Sequence, residues 1–367
     1  MKKLFIIAGE PSGDLHASNL VKELKKKDDS IDVKGWGGEL MSKQGVDLKN
    51  HLKNLSFMGF LEVFMNLRKI RNNFKLCKSQ LLEYKPDVII MVDYPGFNLR
   101  MAKWAKNRGF KVVYYISPQI WAWKESRVNS IKANVDRMYC ILPFEKEFYE
   151  KHDYQVYYMG HPLMDEISSF ESQNNALLFK KDKPLISILP GSREQEIERK
   201  LEIMLNAVSK YKKFDICVAC APNLDIGFFE SYKKRYRDVE FVSGQTYKLL
   251  SESDYAIVTS GTATLETALF KVPQVVCYKS STISYRIAKM IVDIKYISLV
   301  NLIMNKEIVK ELIQKEANTV NIQNELELLI KDSNYREKML SGYDELIEKI
   351  GKEGCSEKIA RDLLDQY

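Results

Sequence analysis

The chain has 367 residues, which exceeds what one hydrophobic core usually supports and therefore predicts two domains. Hydrophobic residues make up 45% of the chain and charged residues 29%, and these proportions exclude wholesale disorder. The formal net charge of +7 is too modest to select a partner by itself.

The sequence predicts neither a secretory signal nor a membrane span. The apolar run near the N-terminus extends only from Leu4 to Ala8, shorter than the roughly 7–15 residues of a signal-peptide core. No stretch approaches the roughly 18 apolar residues of a spanning helix. The six cysteines show no disulfide framework, and the four histidines have no zinc-site spacing with them. We therefore expect a cytoplasmic protein without a metal site, whose contact with any membrane is peripheral.

Short apolar runs alternate with helical patterns along the chain. Helices are indicated, for example, at 19–27, 197–211 and 264–270. Strands separated by helices are typical of βαβ units, so the sequence predicts an α/β fold with two Rossmann-like, doubly wound parallel-sheet domains facing across a cleft. The strands are predicted at 3–8, 87–92, 111–116, 137–142, 185–189, 214–219, 239–242, 255–258 and 274–278.

A polar stretch rich in Asn and Ser, residues 165–184, separates the two runs of strands and ends in a proline. It divides the chain into an N-terminal domain, 1–165, and a C-terminal domain, 175–351. The last segment, 355–367, predicts an amphipathic helix with Ile359, Leu363 and Leu364 on its apolar side.

Three loops follow strands in the N-terminal half, where ligands of parallel sheets bind. The first, Gly9 to Asp14, either brings backbone N–H groups to a ligand at a helix N-terminus or forms a capped turn. The second begins with Asp93, which is either a general base with a pKa raised by partial burial or a helix cap. The third contains Trp121 and Trp123, whose rings either bind sugars or acyl chains or fill the core.

Two loops in the C-terminal half carry small and hydroxyl residues at helix starts. Gly191, Ser192 and Arg193 follow one strand and favour a diphosphate through backbone N–H groups, a helix dipole and a guanidinium. A second loop in the same domain strengthens the prediction of a nucleotide-diphosphate site, with an acidic residue that could accept hydrogen bonds from a ribose. Its residues are Ser260, Gly261, Thr262, Ala263 and Glu266.

One further segment combines large apolar residues at helical spacing with a basic flank. This pattern is typical of a helix that lies in an anionic membrane surface, and equally of a core helix with a solvated basic end. Its members are Phe57, Phe60, Leu61, Phe64, Leu67, Arg68 and Arg71.

Taken together, these segments resemble one family, the lipid-A-disaccharide synthases, which are inverting glycosyltransferases of the GT-B fold. SPQIWAW with LPFEKEFY is the most specific part of the match, whereas LPGSR and SGTATLE are widespread among GT-B transferases. Gly96 stands where the family often has Asp, and Pro11 where it usually has Ala. In chain order the matching segments are AGEPSGD (8–14), NLSFMGFLEV (54–63), KPDVIIMVDYPGFN (85–98), YYISPQIWAWKESRV (114–128), ILPFEKEFYEKH (141–152), MGHP (159–162), LPGSREQEI (189–197), TSGTATLE (259–266) and YISLVNLI (296–303).

The resemblance implies a reaction and its two substrates. The donor would be UDP-2,3-diacylglucosamine, the acceptor 2,3-diacylglucosamine 1-phosphate, and the products a β-1,6-linked disaccharide 1-phosphate and UDP, with no metal or other cofactor. The acyl chains imply peripheral contact with the cytoplasmic face of the inner membrane. The fold implies a terminal helix, 352–367, that returns to the N-terminal domain.

The resemblance also implies site residues. Asp93 would be the base that deprotonates the acceptor hydroxyl, and Asn301 would face the nucleotide together with the two C-terminal loops. The acceptor side of the cleft would be lined by Glu10, Ser12, Gly13, Asn98, Gln119 and Trp121.

Two alternatives remain open from the sequence. Another GT-B enzyme acting on UDP-N-acetylglucosamine, either a transferase or a 2-epimerase, would have much the same donor half but no use for a lipid-facing helix. A non-catalytic sugar-nucleotide sensor would keep Arg193 and the Ser260 loop but would not need Asp93.

Overall fold

The computed structural model describes residues 2–55, 67–172, 177–179, 182–281, 285, 289–290 and 294–367. The chain divides into two compact units, each with its own parallel sheet. The first unit comprises residues 1–165 together with 352–367, and the second comprises residues 166–351. The predicted α/β fold with two parallel-sheet domains is confirmed.

The first unit is built on a seven-stranded parallel sheet. Its strands, in spatial order, are β3 (Asp47–His51), β2 (Asp32–Gly37), β1 (Lys3–Ala8), β4 (Val88–Val92), β5 (Lys111–Tyr115), β6 (Arg137–Cys140) and β7 (Tyr157–Tyr158). The strand order reverses between β1 and β4, so this is the point at which the fold offers a ligand crevice beyond the strand ends. The helices of this part of the chain are α1 (Pro11–Lys27), α2 (Glu39–Lys43), α3 (Leu67–Tyr84), α4 (Pro95–Lys106), α5 (Val128–Asn134), α6 (Pro143–Glu150) and α7 (Pro162–Glu171), with 3-10 turns at Leu52–Asn54, Ile120–Ala122 and Glu125–Arg127.

Alternation along β1 explains how this sheet is covered on both faces. Phe5 and Ile7 belong to one hydrophobic cluster, while Leu4 and Ile6 belong to the other. Because successive side chains of a strand point to opposite faces, a continuous apolar run fills two cores at once. The buried strands therefore fix the rim at which β1, β4 and β5 end.

The second unit contains a six-stranded parallel sheet whose order reverses between β8 and β11. Its strands are β10 (Glu240–Ser243), β9 (Asp215–Cys220), β8 (Leu185–Leu189), β11 (Tyr255–Thr259), β12 (Gln274–Tyr278) and β13 (Lys310–Ile313). The helices are α8 (Glu194–Val208), α9 (Glu230–Arg235), α10 (Thr246–Glu252), α11 (Thr262–Leu269), α12 (Leu299–Met304), α13 (Thr319–Lys331) and α14 (Ser333–Ile350), with a 3-10 turn at Ile226–Phe229.

The last helix, α15 (Cys355–Gln366), packs on the first unit. Ile359 and Leu363 are buried in the same cluster as residues of α1 and β1. Asp165 caps the helix by accepting hydrogen bonds from the backbone N–H groups of Gly354 and Ser356, at 2.6 and 2.8 Å. Along the same helix the carboxylate of Asp362 is bonded by the guanidinium of Arg137 and the hydroxyl of Tyr139.

No helix within the described part of the chain is both long enough and apolar enough to cross a membrane.

Candidate active site

The rim of the first sheet carries backbone strain where β4 and β5 end. Asp93 and Tyr94 have φ values of 46° and 50°, and Ile116, a β-branched residue, has 68°. Left-handed backbone costs a non-glycine residue about 1–3 kcal/mol and persists only where the surroundings enforce it, which is common at functional sites. The strain therefore marks this rim as a candidate site.

Hydrogen bonds hold Asp93 in this conformation. Its backbone N–H donates to the carbonyl of Tyr115 at 2.9 Å. Its carbonyl accepts from the Asn98 amide at 2.8 Å and from the Tyr114 hydroxyl at 2.6 Å. The backbone of Asp93 is thus fixed on three sides, which restricts the direction of its carboxylate.

The environment of Asp93 changes its acidity in the direction that base catalysis needs. Burial raises the pKa of its carboxyl to about 6, and the negative charge of Glu10 adds to the rise, while a hydrogen bond from the Tyr94 N–H partly offsets it. A carboxylate with this pKa is ionised at neutral pH and is a stronger base than an ordinary aspartate. The first unit therefore presents, on a hydrogen-bonded backbone, a carboxylate suited to accept a proton.

The segment from the end of β1 through the first turn of α1 contains three of the residues predicted for the acceptor side. Glu10 precedes α1, whose first turn contains Ser12, which is exposed, and Gly13, which is buried. Asp14 does not cap its own helix; its carboxylate accepts from the N–H groups of Gly38 and Met41 at 2.6 and 3.2 Å and so caps α2. The capped turn that the sequence offered as one interpretation of this loop is therefore absent from α1, whose start has no side-chain cap, and the cap that Asp14 provides belongs to α2.

Asn98 is fully buried below Asp93 instead of being open to solvent. Its amide also points to the carbonyls of Val92 and Ile7, at 3.3 and 3.4 Å. The geometry makes Asn98 a residue that positions Asp93, a role that the sequence pattern did not indicate. Tyr114 has the same role. The sequence analysis missed it because a tyrosine within an apolar strand gives no sign of which group its hydroxyl contacts.

The loop after β5 is held by a buried glutamate that the sequence analysis did not single out. Glu145 accepts hydrogen bonds from the Trp121 indole at 3.2 Å and from the Leu142 N–H at 2.9 Å, and burial raises its pKa to about 7. Trp121 is half-buried against Phe144, whereas Gln119 and Trp123 are exposed. The acidic residue three positions after Leu142 was the available signal, since a glutamate in the first turn of a helix can accept a hydrogen bond from the backbone N–H of the residue before that helix.

The second unit contains a cavity of about 560 Å³ at the point where its strand order reverses. It begins where β8 and β11 end, so it occupies the usual ligand position of a doubly wound sheet. The predicted donor-site residues that line it are Gly191, Ser192, Arg193, Ser260, Gly261, Thr262, Ala263 and Glu266.

Two glycines shape the loops of this cavity. Gly191, between β8 and α8, has a φ of 113°, and a Cβ there would lie 3.3 Å from the Thr259 methyl group. Gly261, before α11, has a φ of 136° with open space beside it. Both helices start at the cavity, so unpaired backbone N–H groups and two positive helix-dipole ends are available to an anion.

Charged side chains complete the cavity. Arg193 is largely exposed and forms an ion pair with Glu196 at 3.0 Å. Glu266 accepts a hydrogen bond from the Tyr247 hydroxyl at 3.2 Å, and burial raises its pKa. Lys200, which the sequence analysis missed, also lines the cavity. The sequence could have indicated Lys200, because it is a lysine among the apolar positions of the buried face of α8.

Asn301 lies apart from the residues that line this cavity. It is fully buried, its amide nitrogen donates to the Val309 carbonyl and to Glu311, and its oxygen accepts from the N–H groups of Ile308 and Val309. Every hydrogen-bonding position of this amide is directed at protein groups. In the structure Asn301 thus supports the loop before β13.

The predicted membrane-facing segment is described only in its basic part. Phe57, Phe60, Leu61 and Phe64, and the side chain of Leu67, lie outside the described residues. Arg68 and Arg71 are exposed at the start of α3.

Two parallel-sheet α/β units, one with a cavity at its switch point where two helices begin and one with a carboxylate at its strand ends, are typical of the GT-B class of proteins, which includes glycosyltransferases. Residues 4–362 match the model of the family described as lipid-A-disaccharide synthetase. The chain therefore belongs to the lipid-A-disaccharide synthase family, whose members are glycosyltransferases of lipid A biosynthesis.

Curated relatives agree with this assignment. The chain is 37% identical over 357 residues to lipid-A-disaccharide synthase 1 of Legionella pneumophila strain Paris, covering 95% of this chain and 93% of the relative. It is 37% identical over 369 residues to lipid-A-disaccharide synthase of Syntrophus aciditrophicus, covering 98% and 96%. The family resemblance inferred from the motifs is confirmed.

Solved structures agree on the fold. A UDP-GlcNAc 2-epimerase from Neisseria meningitidis bound to UDP-GlcNAc superposes with a TM-score of 0.71 at 16% identity, covering all of both chains. The glycotransferase of kitacinnamycin gives 0.67 at 13% identity, covering 99% of this chain and 98% of the other. At such identities the likeness shows the GT-B fold and does not distinguish epimerase from transferase.

Proposed function

We propose that Asp93 is the base of this glycosyltransferase and that the cavity beside Gly191 and Gly261 holds the UDP part of its donor. The reaction transfers 2,3-diacylglucosamine from UDP-2,3-diacylglucosamine to 2,3-diacylglucosamine 1-phosphate and forms a β-1,6-linked disaccharide 1-phosphate. The observation that carries the proposal is the strained, hydrogen-bonded backbone of Asp93 at the end of β4, in surroundings whose burial raises the pKa of its carboxyl.

Each bond change has a group suited to it. The 6-hydroxyl oxygen of the acceptor attacks the anomeric carbon on the face opposite UDP, and its proton passes to the Asp93 carboxylate. The bond between the anomeric carbon and the β-phosphate oxygen breaks, and its electron pair leaves with UDP. The transition state resembles an oxocarbenium ion, as in glycoside hydrolysis.

The departing UDP gains negative charge at the moment of bond breaking. The N-termini of α8 and α11 supply backbone N–H groups and positive dipole ends, and Arg193 supplies a cation at the exposed rim of the cavity. Glu266, half-buried beside Tyr247, suits a hydrogen bond from a ribose hydroxyl. Stabilisation that grows as charge develops lowers the barrier instead of only tightening donor binding.

The diacylated substrates must be reached at a bilayer, so we propose that the start of α3 contacts anionic lipid. Arg68, Arg71 and Lys75 are exposed there, while Phe74 packs into the core on the Phe97 ring at 4.3 Å. Each basic residue near an anionic surface contributes about 1 kcal/mol of binding. Replacing Arg68 and Arg71 by serine should reduce sedimentation with phosphatidylglycerol vesicles and leave binding to phosphatidylcholine vesicles unchanged.

A matched control for that experiment removes two exposed lysines from the second unit, Lys212 and Lys213. Equal loss in both double variants would contradict a specific membrane-facing role of α3.

The reaction is tested with purified protein, radiolabelled acceptor and UDP-diacylglucosamine in detergent micelles, followed by thin-layer chromatography. Asp93→Ala should lower the rate at least about a hundredfold, the usual contribution of a general base. Asp87→Ala, which removes an exposed carboxylate at the opposite end of β4, should retain the rate.

Three results would contradict the proposal. Full activity of Asp93→Ala would remove this residue from the base role. UDP binding without disaccharide formation by the wild type would contradict the assigned acceptor. The next assays would then use UDP-N-acetylglucosamine as the substrate, for transfer and for 2-epimerisation. UDP binding without any turnover on either substrate would favour a sugar-nucleotide sensor.

A further inference from the structure

Lys200 is a charged residue in an unusual place, on the buried face of α8 between Ile197 and Met204. Only 3% of the residue is exposed. It nevertheless lines the cavity of the second unit, and its ammonium group donates a hydrogen bond to the hydroxyl of Thr259, the last residue of β11. Its nitrogen lies 3.9 Å from the position that a Cβ on Gly191 would occupy. Lys200 therefore ends directly beside the glycine loop.

The surrounding charges do not compensate that ammonium group. Among the ion pairs of the described residues there is none for Lys200, and the nearby Glu196 carboxylate is bonded by Arg193 at 3.0 Å. Burial lowers the pKa of Lys200, which the negative charge of Glu196 only partly counters, and Arg193 and Arg199 lower it further. A buried cation with one neutral partner is unfavourable unless an anion joins it.

Packing does not require a lysine at this position. Neighbouring positions on the same face of α8, Ile197, Leu201 and Met204, are fully buried and apolar. An apolar side chain of similar length would fill the position without the desolvation penalty. The lysine is accounted for if an anion occupies the cavity beside Thr259 and Gly191.

We propose that Lys200 is a second cationic contact for the diphosphate of the nucleotide sugar, placed at the buried end of the cavity while Arg193 serves its exposed rim. This inference rests on the proposed donor site and deepens it. The ammonium group donates hydrogen bonds to a phosphate oxygen, and it counters the charge that UDP acquires when the glycosidic bond to it breaks. Lysine suits this place because it binds phosphate as a point charge.

The test uses the full chain and compares wild type with Lys200→Met and with Arg199→Met. The control removes an exposed cation one residue away on the same helix. UDP is titrated calorimetrically into each protein. Lys200→Met should weaken UDP binding about tenfold or more, the size expected for a hydrogen bond to a charged group, and Arg199→Met should change it less than about threefold.

Proton uptake separates direct contact from a structural effect. A bound diphosphate raises the proton affinity of Lys200, so UDP binding in alkaline buffers, where this ammonium group begins to lose its proton, should take up protons in the wild type, measured from the heats in buffers of different ionisation enthalpy. That uptake should disappear in Lys200→Met. Thermal unfolding verifies that Lys200→Met is folded, which is expected because methionine fills the same space.

The outcomes are distinct. If the wild type does not bind UDP, the proposed donor site fails. If the wild type binds UDP, but Lys200→Met binds it equally well with the same proton uptake, the donor site stands and the inference about Lys200 is overturned. Equal weakening by Lys200→Met and Arg199→Met also overturns it, because it shows only a diffuse effect of positive charge.

Discussion

Replacing Asp93 by asparagine should remove activity and at the same time stabilise the first unit. Burial raises the pKa of this carboxyl from its ordinary 3.8 to about 6, so the folded protein disfavours the ionised form. Below the unfolded-state pKa the Asp93 carboxyl is neutral in both states and has no effect on the free energy of unfolding. As the pH rises from there through the folded-state pKa, this carboxyl lowers the free energy of unfolding. Asparagine is neutral at every pH and avoids this loss.

The size of the effect follows from the two pKa values. The stability gained by Asp93→Asn over wild type should be about 1.5 kcal/mol at about pH 5 and about 3 kcal/mol at about pH 8. All four tryptophans lie in the first unit, at 36, 104, 121 and 123. Urea unfolding followed by tryptophan fluorescence therefore reports on the unit that carries Asp93.

Asp87, at the other end of β4, provides a control of opposite sign. Its carboxylate accepts hydrogen bonds from the N–H groups of Lys2 and Lys3, which hold its pKa below the ordinary value. Asp87→Asn should therefore lose stability at neutral pH and keep its activity. If Asp93→Asn is no more stable than wild type at about pH 8, the carboxylate is not desolvated in the folded protein and the reasoning is refuted.

Kinetics and stability give three further expectations. The free enzyme's kcat/KM should fall below about pH 6, since Asp93 must be ionised to accept a proton, and a profile flat to about pH 5 would contradict this. Arg193→Met should weaken UDP binding about tenfold in calorimetry, and unchanged affinity would remove it from the diphosphate site. Asp362→Ala should destabilise the first unit by about 3 kcal/mol in the fluorescence assay, because it leaves the Arg137 guanidinium largely buried and unpaired, and a change under about 0.5 kcal/mol would contradict a structural role for the pair.

The sequence predicted the fold class because buried parallel strands are continuous apolar runs. The strands at 88–92 and 185–189 were visible for that reason. Strand β2, Asp32–Gly37, was missed because it contains two glycines. A Cβ on Gly35 would lie 2.2 Å from the Ile6 carbonyl oxygen, next to a register shift, so close approach of the neighbouring strand requires glycine. The need for glycine comes from a contact with another strand, so the local sequence around β2 does not reveal it.

The sequence allowed a prediction of the loops that form the candidate site, but not of the side chains elsewhere in the chain that contact those loops. Asp93 and Arg193 were singled out because they lie in loops that follow strong strands, where ligands of this fold bind. Tyr114 and Lys200 act at distances along the chain that no local pattern encodes. For Asn301 the family motif indicated a nucleotide contact, but its amide is occupied by Val309 and Glu311. The catalytic and binding roles of these residues stay predictions until the assays above are made.

The packing of α15 on the first unit has a consequence for synthesis. Residues 352–367 complete a core whose other members precede residue 166, so the ribosome makes the entire second unit before the first has its last helix. Until then the apolar side of α1 that receives Ile359 and Leu363 is exposed to water and to chaperones. We expect the second unit, which is continuous in sequence, to fold first, although most of the first unit leaves the ribosome before it.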